Sequence, residues 1–300
     1  MNYNKRILKT GALAVAVTIA FALFAYRVAE WSNGINSEMA TPGQSTTSNC
    51  STGQAGSSGV QTTKVIPQIP LGSFDGGRTK YSTVVQIVNT AGETQSITGN
   101  FYKENGTALD NVGLTAGAAT IMNGSLGTSI VKDAVLVISG GGTATTGVIA
   151  WGKIISCGRL SISTFFELRD AANNVLYSRV GVPASPANMS SFVIPRIREV
   201  AAGLDVGFAL VNTASSGTAS LKAELKDQAG KTIATKDIPM AAGEHRAGFT
   251  RDLFGPLDET TGSSRSYQYV KFTSTSPTFA AIALAFEGST QTSFPADAIE

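Results

Sequence analysis

The chain has 300 residues, of which 15% are charged, 42% are hydrophobic and 32 are glycine, and its formal net charge is +2. A composition this rich in turn-forming residues and poor in helix-forming runs predicts an all-β protein. The small net charge excludes the broad positive potential of a nucleic-acid-binding protein, so we expect no nucleic-acid partner. The length exceeds a usual β-domain of about 100 residues and favours two domains.

The N-terminal segment predicts export. Lys5, Arg6 and Lys9 precede an uncharged apolar stretch at residues 11–26. A cleaved signal has an apolar core of about 7 to 15 residues and a small-residue cleavage motif, whereas a spanning helix needs about 20 apolar residues. The stretch falls between these lengths and its cleavage motif is poor, so residues 1–31 are predicted to be a signal peptide or a signal anchor. In both cases the remainder lies outside the cytoplasmic membrane, and an uncleaved signal would contact the membrane through residues 11–26.

Residues 32–63 are predicted to be a flexible linker, because they are nearly all Ser, Thr, Gly, Gln, Asn, Ala and Pro and cannot bury enough apolar surface to become ordered. Cys50 lies in this linker and Cys157 lies in a predicted strand, and the chain has 2 cysteines in all. In an oxidising compartment they can form one disulfide bond. The alternative of two unpaired thiols stays open.

The remaining chain is expected to form two β-sandwich domains, at residues 64–187 and 188–300. Each contains short apolar and β-branched runs separated by turn residues, which is typical of a sandwich. In the run from Tyr267 to Thr273, polar and apolar residues alternate, with Val270 and Phe272 on the predicted core face.

One short helical turn is predicted in each domain. Arg251 to Phe254 is expected to form it in the second domain, and Ser125 to Val131 is expected to be its counterpart in the first.

A series of sequence landmarks recurs in the same order in both domains. The pairs are Pro67 and Pro195, Asn89 and Asn212, Gly106 and Gly230, Gly117 and Gly243, Glu167 and Glu287, and Pro183 and Pro295. Their order predicts a duplicated unit. The pattern of Ile-Pro, Val-Asn-Thr, an acidic residue before Gly, Ala-Gly, Phe-Glu and Pro-Ala resembles paired immunoglobulin-like β-sandwich repeats in exported proteins of environmental bacteria. The resemblance implies two tandem immunoglobulin-like domains with no assigned activity.

No catalytic, metal-binding or cofactor-binding residue is predicted. His245 is the single histidine and is expected to be a solvent-exposed spectator. One histidine and two distant cysteines do not supply a three- or four-ligand zinc site. No Gly-x-Ser-x-Gly motif is present to hold a serine nucleophile. We therefore predict a protein that is not an enzyme and has no cofactor.

The aromatic residues Trp151, Phe165 and Phe166 have two interpretations. They are the speculative candidates for a sugar-binding platform, and the alternative is that they fill a sandwich core. The predicted function is accordingly a non-enzymatic exported or membrane-anchored cell-envelope protein that presents two β-sandwich domains for adhesion or structural interaction. Its partner would be an unknown protein or polysaccharide at the cell surface, and a carbohydrate-binding module is the alternative.

Overall fold

The structure is a computed structural model that describes residues 61–110, 113–117, 119–121, 123–140, 146–199, 203–255, 266–287 and 290–299. Across these ranges the regular elements are strands, apart from one short α-helix and a 3-10 turn, so the all-β prediction is confirmed. The predicted signal at residues 11–26, nearly all of the linker and Cys50 lie outside the described residues. Within the described ranges, no helix is long and apolar enough to span a membrane.

The first half of the described chain forms two facing layers. Its strands are β1 (Thr62–Phe74), β2 (Thr79–Asn89), β3 (Gln95–Lys103), β4 (Thr115–Ala116), β5 (Ala119–Thr120), β6 (Ser125–Ile130), β7 (Val135–Gly140), β8 (Val148–Ser156), β9 (Leu160–Asp170), β10 (Leu176–Pro183) and β11 (Ser185–Pro186). One layer has the order β6-β3-β8-β1-β11 and the other has the order β7-β2-β9-β10, with the β4–β5 hairpin at the β7 edge. Strand β1 joins the layers, because its last residues pair with β2.

The second half also forms two facing layers. Its elements are β12 (Ser191–Arg198), β13 (Leu204–Asn212), β14 (Thr218–Lys226), β15 (Thr232–Ala241), β16 (His245–Phe249), α1 (Thr250–Phe254), β17 (Ser266–Thr273), β18 (Phe279–Glu287), β19 (Thr290–Pro295) and β20 (Asp297–Ala298). The layers have the orders β15-β14-β17-β12-β20 and β16-β13-β18-β19.

The two halves have the same strand order. In the first layer, β6-β3-β8-β1-β11 corresponds to β15-β14-β17-β12-β20, and in the second layer β7-β2-β9-β10 corresponds to β16-β13-β18-β19. All of these neighbouring strands are antiparallel. Only the β4–β5 hairpin lacks a counterpart among the described strands.

Each half has its own hydrophobic core between its two layers. The core of the first half includes Ile66, Leu71, Val85, Ile87, Phe101, Ile138 and Ile154. The core of the second half includes Phe192, Ile194, Leu210, Leu221, Phe272 and Phe279. The side chains come from alternate positions along each strand, because successive side chains of a strand point to opposite faces.

Asn89 and Asn212 occupy the same position in the two halves. Each ends its strand, is fully buried, donates two hydrogen bonds to main-chain carbonyls and accepts one from the backbone N–H two residues later. The Asn89 Nδ2 lies 2.9 Å from the carbonyl oxygen of Ile130, and the Asn212 Nδ2 lies 3.0 Å from that of Met240. Each side chain therefore connects an inner strand of one layer to the edge strand of the other.

The turn that follows these edge strands shows that one predicted pair of equivalent residues is wrong. In the first half the Ala134 N–H donates to Val131, and in the second half the Glu244 N–H donates to Ala241, both at 3.1 Å. The residue before each donor has a positive φ, 59° at Asp133 and 75° at Gly243. The counterpart of Gly243 is therefore Asp133 and not Gly117, because Asp is among the residues that adopt this conformation.

Two further landmarks differ from the sequence prediction. Ser125 to Val131 does not form a helical turn, because Ser125–Ile130 is the edge strand β6, the counterpart of β15. In the second case, Phe286 and not Glu287 is the counterpart of Glu167: Glu167 pairs with Ser82, and Phe286 pairs with Asp205. A shift of one residue moves a side chain to the other face of a sheet.

Other local predictions are confirmed. Arg251 to Phe254 lies in α1, and Val270 and Phe272 point into the core while Tyr267 is exposed. Gly106 and Gly230 close equivalent turns with φ of 80° and 79°, a conformation that glycine adopts without steric cost.

We expect Asn89→Ala and Asn212→Ala each to lower the free energy of unfolding by roughly 2–4 kcal/mol, because each leaves buried main-chain carbonyls without a donor. Urea unfolding followed by circular dichroism measures the loss. Asn188→Ala, at an exposed position, is the matched control and should stay within about 0.5 kcal/mol of the parent. A loss no larger than the control at either buried site contradicts this role.

Candidate functional site

The second half has a sheet that is apolar on both faces. All residues of β18 from Phe279 to Phe286 are buried and uncharged, and small and large apolar residues alternate from Ala281 to Phe286. One face belongs to the core of the second half. The other face requires a cover, because a sheet with two apolar faces must be packed on both sides.

The first half provides that cover, and we call this contact the junction. One cluster of the junction combines Phe166, Val180 and Val182 of the first half with Ala209, Ala247, Phe249, Ile282, Leu284 and Phe286 of the second. A second cluster combines Val65 and Trp151 with Val211 and Ala280, with Tyr102 and Ala187 packed beside them. Phe166 and Phe286 thus belong to one cluster of the junction instead of occupying equivalent places in two copies.

Trp151 is the largest side chain of the junction. It is 2% exposed, and its indole ring stacks on Tyr102 with a centroid distance of 4.3 Å. Its Nε1–H donates to the Gly243 carbonyl at 3.0 Å, so its polar atom is satisfied across the junction. This hydrogen bond fixes the β15–β16 turn against β8.

The main chains of the two halves also approach closely. A Cβ built on Gly106 would lie 3.0 Å from the carbonyl carbon of Gly243, and one built on Gly243 would lie 3.0 Å from the Cα of Gly106. Both residues have positive φ. The two turns therefore touch at a place where each accommodates only glycine.

Further hydrogen bonds cross the junction. The His245 N–H donates to the Glu104 carbonyl at 2.8 Å, and the Ala281 N–H donates to Ser185 Oγ at 3.1 Å. Ser293 Oγ lies 2.5 Å from the Gly181 carbonyl. The junction therefore has specific polar contacts around its apolar clusters, which favours one relative orientation of the halves.

His245 is buried in the junction, so the expectation of a solvent-exposed spectator is wrong. It is 2% exposed, and neither ring nitrogen has a hydrogen-bond partner among the described residues. A ring nitrogen faces the Pro67 carbonyl without reaching hydrogen-bond geometry, and burial lowers the pKa of His245 to about 3. The alternating buried positions His245, Ala247 and Phe249 of β16 carried the signal for this placement.

Glu104 lies at the edge of the same region. Its Oε1 is 3.8 Å from His245 Nδ1, and partial burial raises its pKa to about 7. Because 43% of the Glu104 side chain remains exposed, water screens its charge and reduces the change in its pKa. The change in pKa caused by burial is therefore larger for His245.

The three aromatic candidates do not form an exposed row. Trp151 and Phe166 are each 2% exposed and belong to the junction, and Phe165 is half-buried on the opposite face of β9 from Phe166. A ring buried inside the protein cannot stack on a sugar. The buried Trp151 and Phe166 contradict a platform formed by all three rings, and they fill the junction and not, as the alternative had it, a sandwich core.

Cys157 is disulfide-bonded. Its predicted partner, Cys50, lies outside the described residues, so the pairing of these two cysteines stays a prediction.

Several other ionisable groups form pairs at the surface, whereas Arg196 and Asp205 are buried. Glu167 binds both Arg169 and Arg179, at 3.0 and 2.5 Å, and these pairs lower its pKa against the opposing effect of desolvation, which is the largest single influence. In the described part of the chain, no group of three or more His, Cys, Asp or Glu residues is placed to hold a metal ion. A surface depression of about 340 Å³ beside β2 is lined by Ser82, Thr83, Val84, Gly113, Thr115, Ser139 and Gly140, none of which is an acid or a base at neutral pH.

The chain was compared with known proteins and structures. No protein-family model and no curated protein matches it. The major pilin subunit BcpA of Bacillus cereus has a TM-score of 0.21 at 13% identity, over 80% of this chain and 65% of that one. A glycosyl hydrolase family 2 member from Bacteroides cellulosilyticus has a TM-score of 0.15 at 6% identity, over 76% of this chain and 27% of that one. The pilus adhesin SpaC from Lactobacillus rhamnosus GG has a TM-score of 0.17 at 9% identity, over 71% of this chain and 25% of that one.

The chain therefore spans less than two thirds of each of these structures. Likenesses this distant assign no function to it.

The junction predicts a pH dependence of stability. The pKa of His245 is about 3 in the folded chain against an ordinary value of 6.5, so between these pH values the unfolded chain binds the extra proton. Stability is therefore lost as the pH falls below about 6.5, by about 3 kcal/mol at pH 4. Glu104 has the opposite effect. Its pKa is raised from 4.5 to about 7 in the folded chain, so its contribution to stability is present at low pH and is lost as the pH rises through this range.

Urea midpoints measured between pH 7.5 and 4 check this prediction. His245→Gln should lose less stability than the parent on acidification, and Glu104→Gln should lose more, because it removes the opposing contribution. Equal pH slopes for the parent and His245→Gln would contradict the assigned burial.

Proposed function

We propose that the chain is a non-enzymatic exported protein of the cell envelope, which presents two immunoglobulin-like β-sandwich domains, residues 64–187 and 188–300, for adhesion or structural interaction. The observation that carries the proposal is the junction. It packs two sandwiches against each other through apolar clusters and hydrogen bonds. Contacts of this kind favour one relative orientation of the sandwiches, which suits a protein that presents surfaces.

The shared architecture of the two halves supports the same proposal. The halves share their strand order, their buried asparagines and their glycine turns. A second sandwich of the same architecture provides a second surface for contact, whereas a single active site does not need a second copy of its scaffold.

The proposed location rests on the N-terminal sequence and on Cys157. The basic residues before the apolar stretch at residues 11–26 favour translocation of everything that follows. A disulfide-bonded Cys157 fits an oxidising compartment outside the cytoplasm. In this proposal Cys50 is its partner, residues 32–63 are a tether, and the protein partner or polysaccharide is met at the cell surface.

Export and oxidation can be tested together on the full chain expressed in a bacterium. We expect the parent chain to be in the membrane or extracytoplasmic fraction and to react with no thiol reagent before reduction, because its 2 cysteines are bonded. A chain lacking residues 11–26 is the matched control and should stay in the cytoplasm with both thiols reactive. N-terminal sequencing of the parent distinguishes a cleaved signal from an anchor. A parent chain found in the cytoplasm with reactive thiols would overturn the proposal.

A further inference from the structure

The outer face of the sheet β7-β2-β9-β10 contains a depression of ligand size. Its volume of about 340 Å³ lies in the range of about 300–1,000 Å³ that is usual for small-ligand sites. The lining includes Val84 and three hydroxyl-bearing residues, Ser82, Thr115 and Ser139. Val84 pairs with Ser139 in the ladder, and Ser139 pairs with Thr115. These side chains therefore lie next to one another on one face of the sheet.

The hydroxyl groups of the depression are held only weakly by the protein. Thr115 Oγ1 lies 3.4 Å from both the carbonyl oxygen and the Oγ of Ser139. A good O–H···O hydrogen bond has a length of about 2.5–3.0 Å. By contrast, Thr83 Oγ1 donates to the Pro70 carbonyl at 2.7 Å. Because a hydroxyl group can both donate and accept, Thr115 and Ser139 can bind a ligand whose own polar groups are hydroxyls.

An aromatic ring and a guanidinium group lie beside the depression on the same face. Phe165 is the ladder partner of Val84, and Glu167 is the ladder partner of Ser82. Phe165 is half-buried, so part of its ring stays in contact with water. Arg179 donates to Glu167 through Nε and Nη2 and its side chain is 54% exposed, so its Nη1 can donate to a ligand.

The equivalent face of the second half has large apolar residues where this face is polar. The ladder registers give three equivalent pairs: Ser139 and Phe249, Ser163 and Ile282, and Glu167 and Phe286. The rings of Phe249 and Phe286 pack edge to face with centroids 5.6 Å apart, and the first half covers them. A sheet face that is covered by protein in this chain is thus apolar at these positions. The hydroxyl groups and the carboxylate of the first half fit a hydroxylated ligand better than a protein surface.

The centre of the face is also uncharged. From Val84 to Val88, the outward residues of β2 and their ladder partners on β7 and β9 are Val, Gln, Ser and Phe. At its border, Glu167 compensates the charge of Arg179. A neutral sugar has a matching mixture of groups, because hydroxyls surround each ring and apolar C–H groups on its faces can pack on aromatic and aliphatic side chains.

We propose that this face binds a neutral oligosaccharide or a segment of a neutral polysaccharide. One sugar ring occupies the depression and exchanges hydrogen bonds with Thr115 and Ser139, and another ring of the same chain packs on Phe165. Ser139 and Phe165 are separated by two strand spacings, which is roughly 10 Å, so an extended chain of sugars reaches both places. This inference rests on the proposed function and names the polysaccharide as its partner. It uses Phe165 without the two buried rings.

An oligosaccharide array probed with the full chain in a sugar-free detergent tests the proposal. The array carries neutral oligosaccharides of glucose, galactose, mannose, xylose and N-acetylglucosamine, and acidic ones that contain uronic acids. We expect the parent to bind a neutral oligosaccharide in preference to the acidic ones. Titration calorimetry with the strongest neutral binder then gives the Kd for the parent and its variants.

Two variants change the proposed site, and each has a matched control. Ser139→Phe places the residue of the second half in the depression and should weaken binding by about tenfold or more, and Phe165→Ala should weaken it by about tenfold. Ser220→Phe, at an exposed serine of β14, and Tyr267→Ala, at an exposed aromatic residue, should bind like the parent. Thermal unfolding midpoints matching the parent confirm that the variants are folded.

Three results would overturn the inference. A parent that binds no oligosaccharide of the array is one, and binding that folded Ser139→Phe and Phe165→Ala leave unchanged is another. The third is a protein contact at this face, in which the parent binds no oligosaccharide but self-associates in sedimentation velocity and Val137→Lys abolishes that association. An exported chain that binds no sugar leaves the proposed function standing, whereas a sugar-binding chain that stays in the cytoplasm overturns the proposed function and not the site.

Discussion

The second half depends on the first half to bury the outer face of its sheet β16-β13-β18-β19. Ile282, Leu284 and Phe286 point away from its own core, and each large apolar side chain taken out of water contributes about 1.5–3 kcal/mol. A second half separated from the first would expose all of them. The halves are therefore interdependent parts of one body, even though each has its own core, and the Trp151 hydrogen bond and the glycine contact set the orientation in which the cover fits.

Much of the fold could be predicted from the sequence, because its local signals agree with one another. The low charge and abundant glycine indicated strands, and the positive φ of Gly106 and Gly230 follows from their place in matching polar turns. The repeated Asn89 and Asn212 were visible as a pattern. Their chemical role, as buried amides that bridge two layers, depends on the distance between strands that are remote in sequence, and no local pattern encodes that distance.

The junction could not be predicted, because it depends on which face of each strand meets another part of the chain. His245 follows Glu244 and precedes Arg246, and these polar neighbours made a solvated loop the natural interpretation. In the structure Glu244 lies in the turn before β16, and Arg246 lies on the face of β16 opposite to His245. Phe286 shows the same limit. Its apparent match with Phe166 is displaced by one residue in the ladders, and both side chains belong to one buried cluster of the junction.

The short strand β11 has a mechanical consequence. Lys64 pairs with Pro186 and Val65 pairs with Ser185, so the place where the chain enters the first half is adjacent to the place where it leaves. A pulling force between the proposed tether and the second half passes across these two neighbouring strands and the junction. The core of the first half lies beside this route and is not stretched. Tension on an anchored protein would therefore peel β11 from β1 before it disturbed the sandwich behind them.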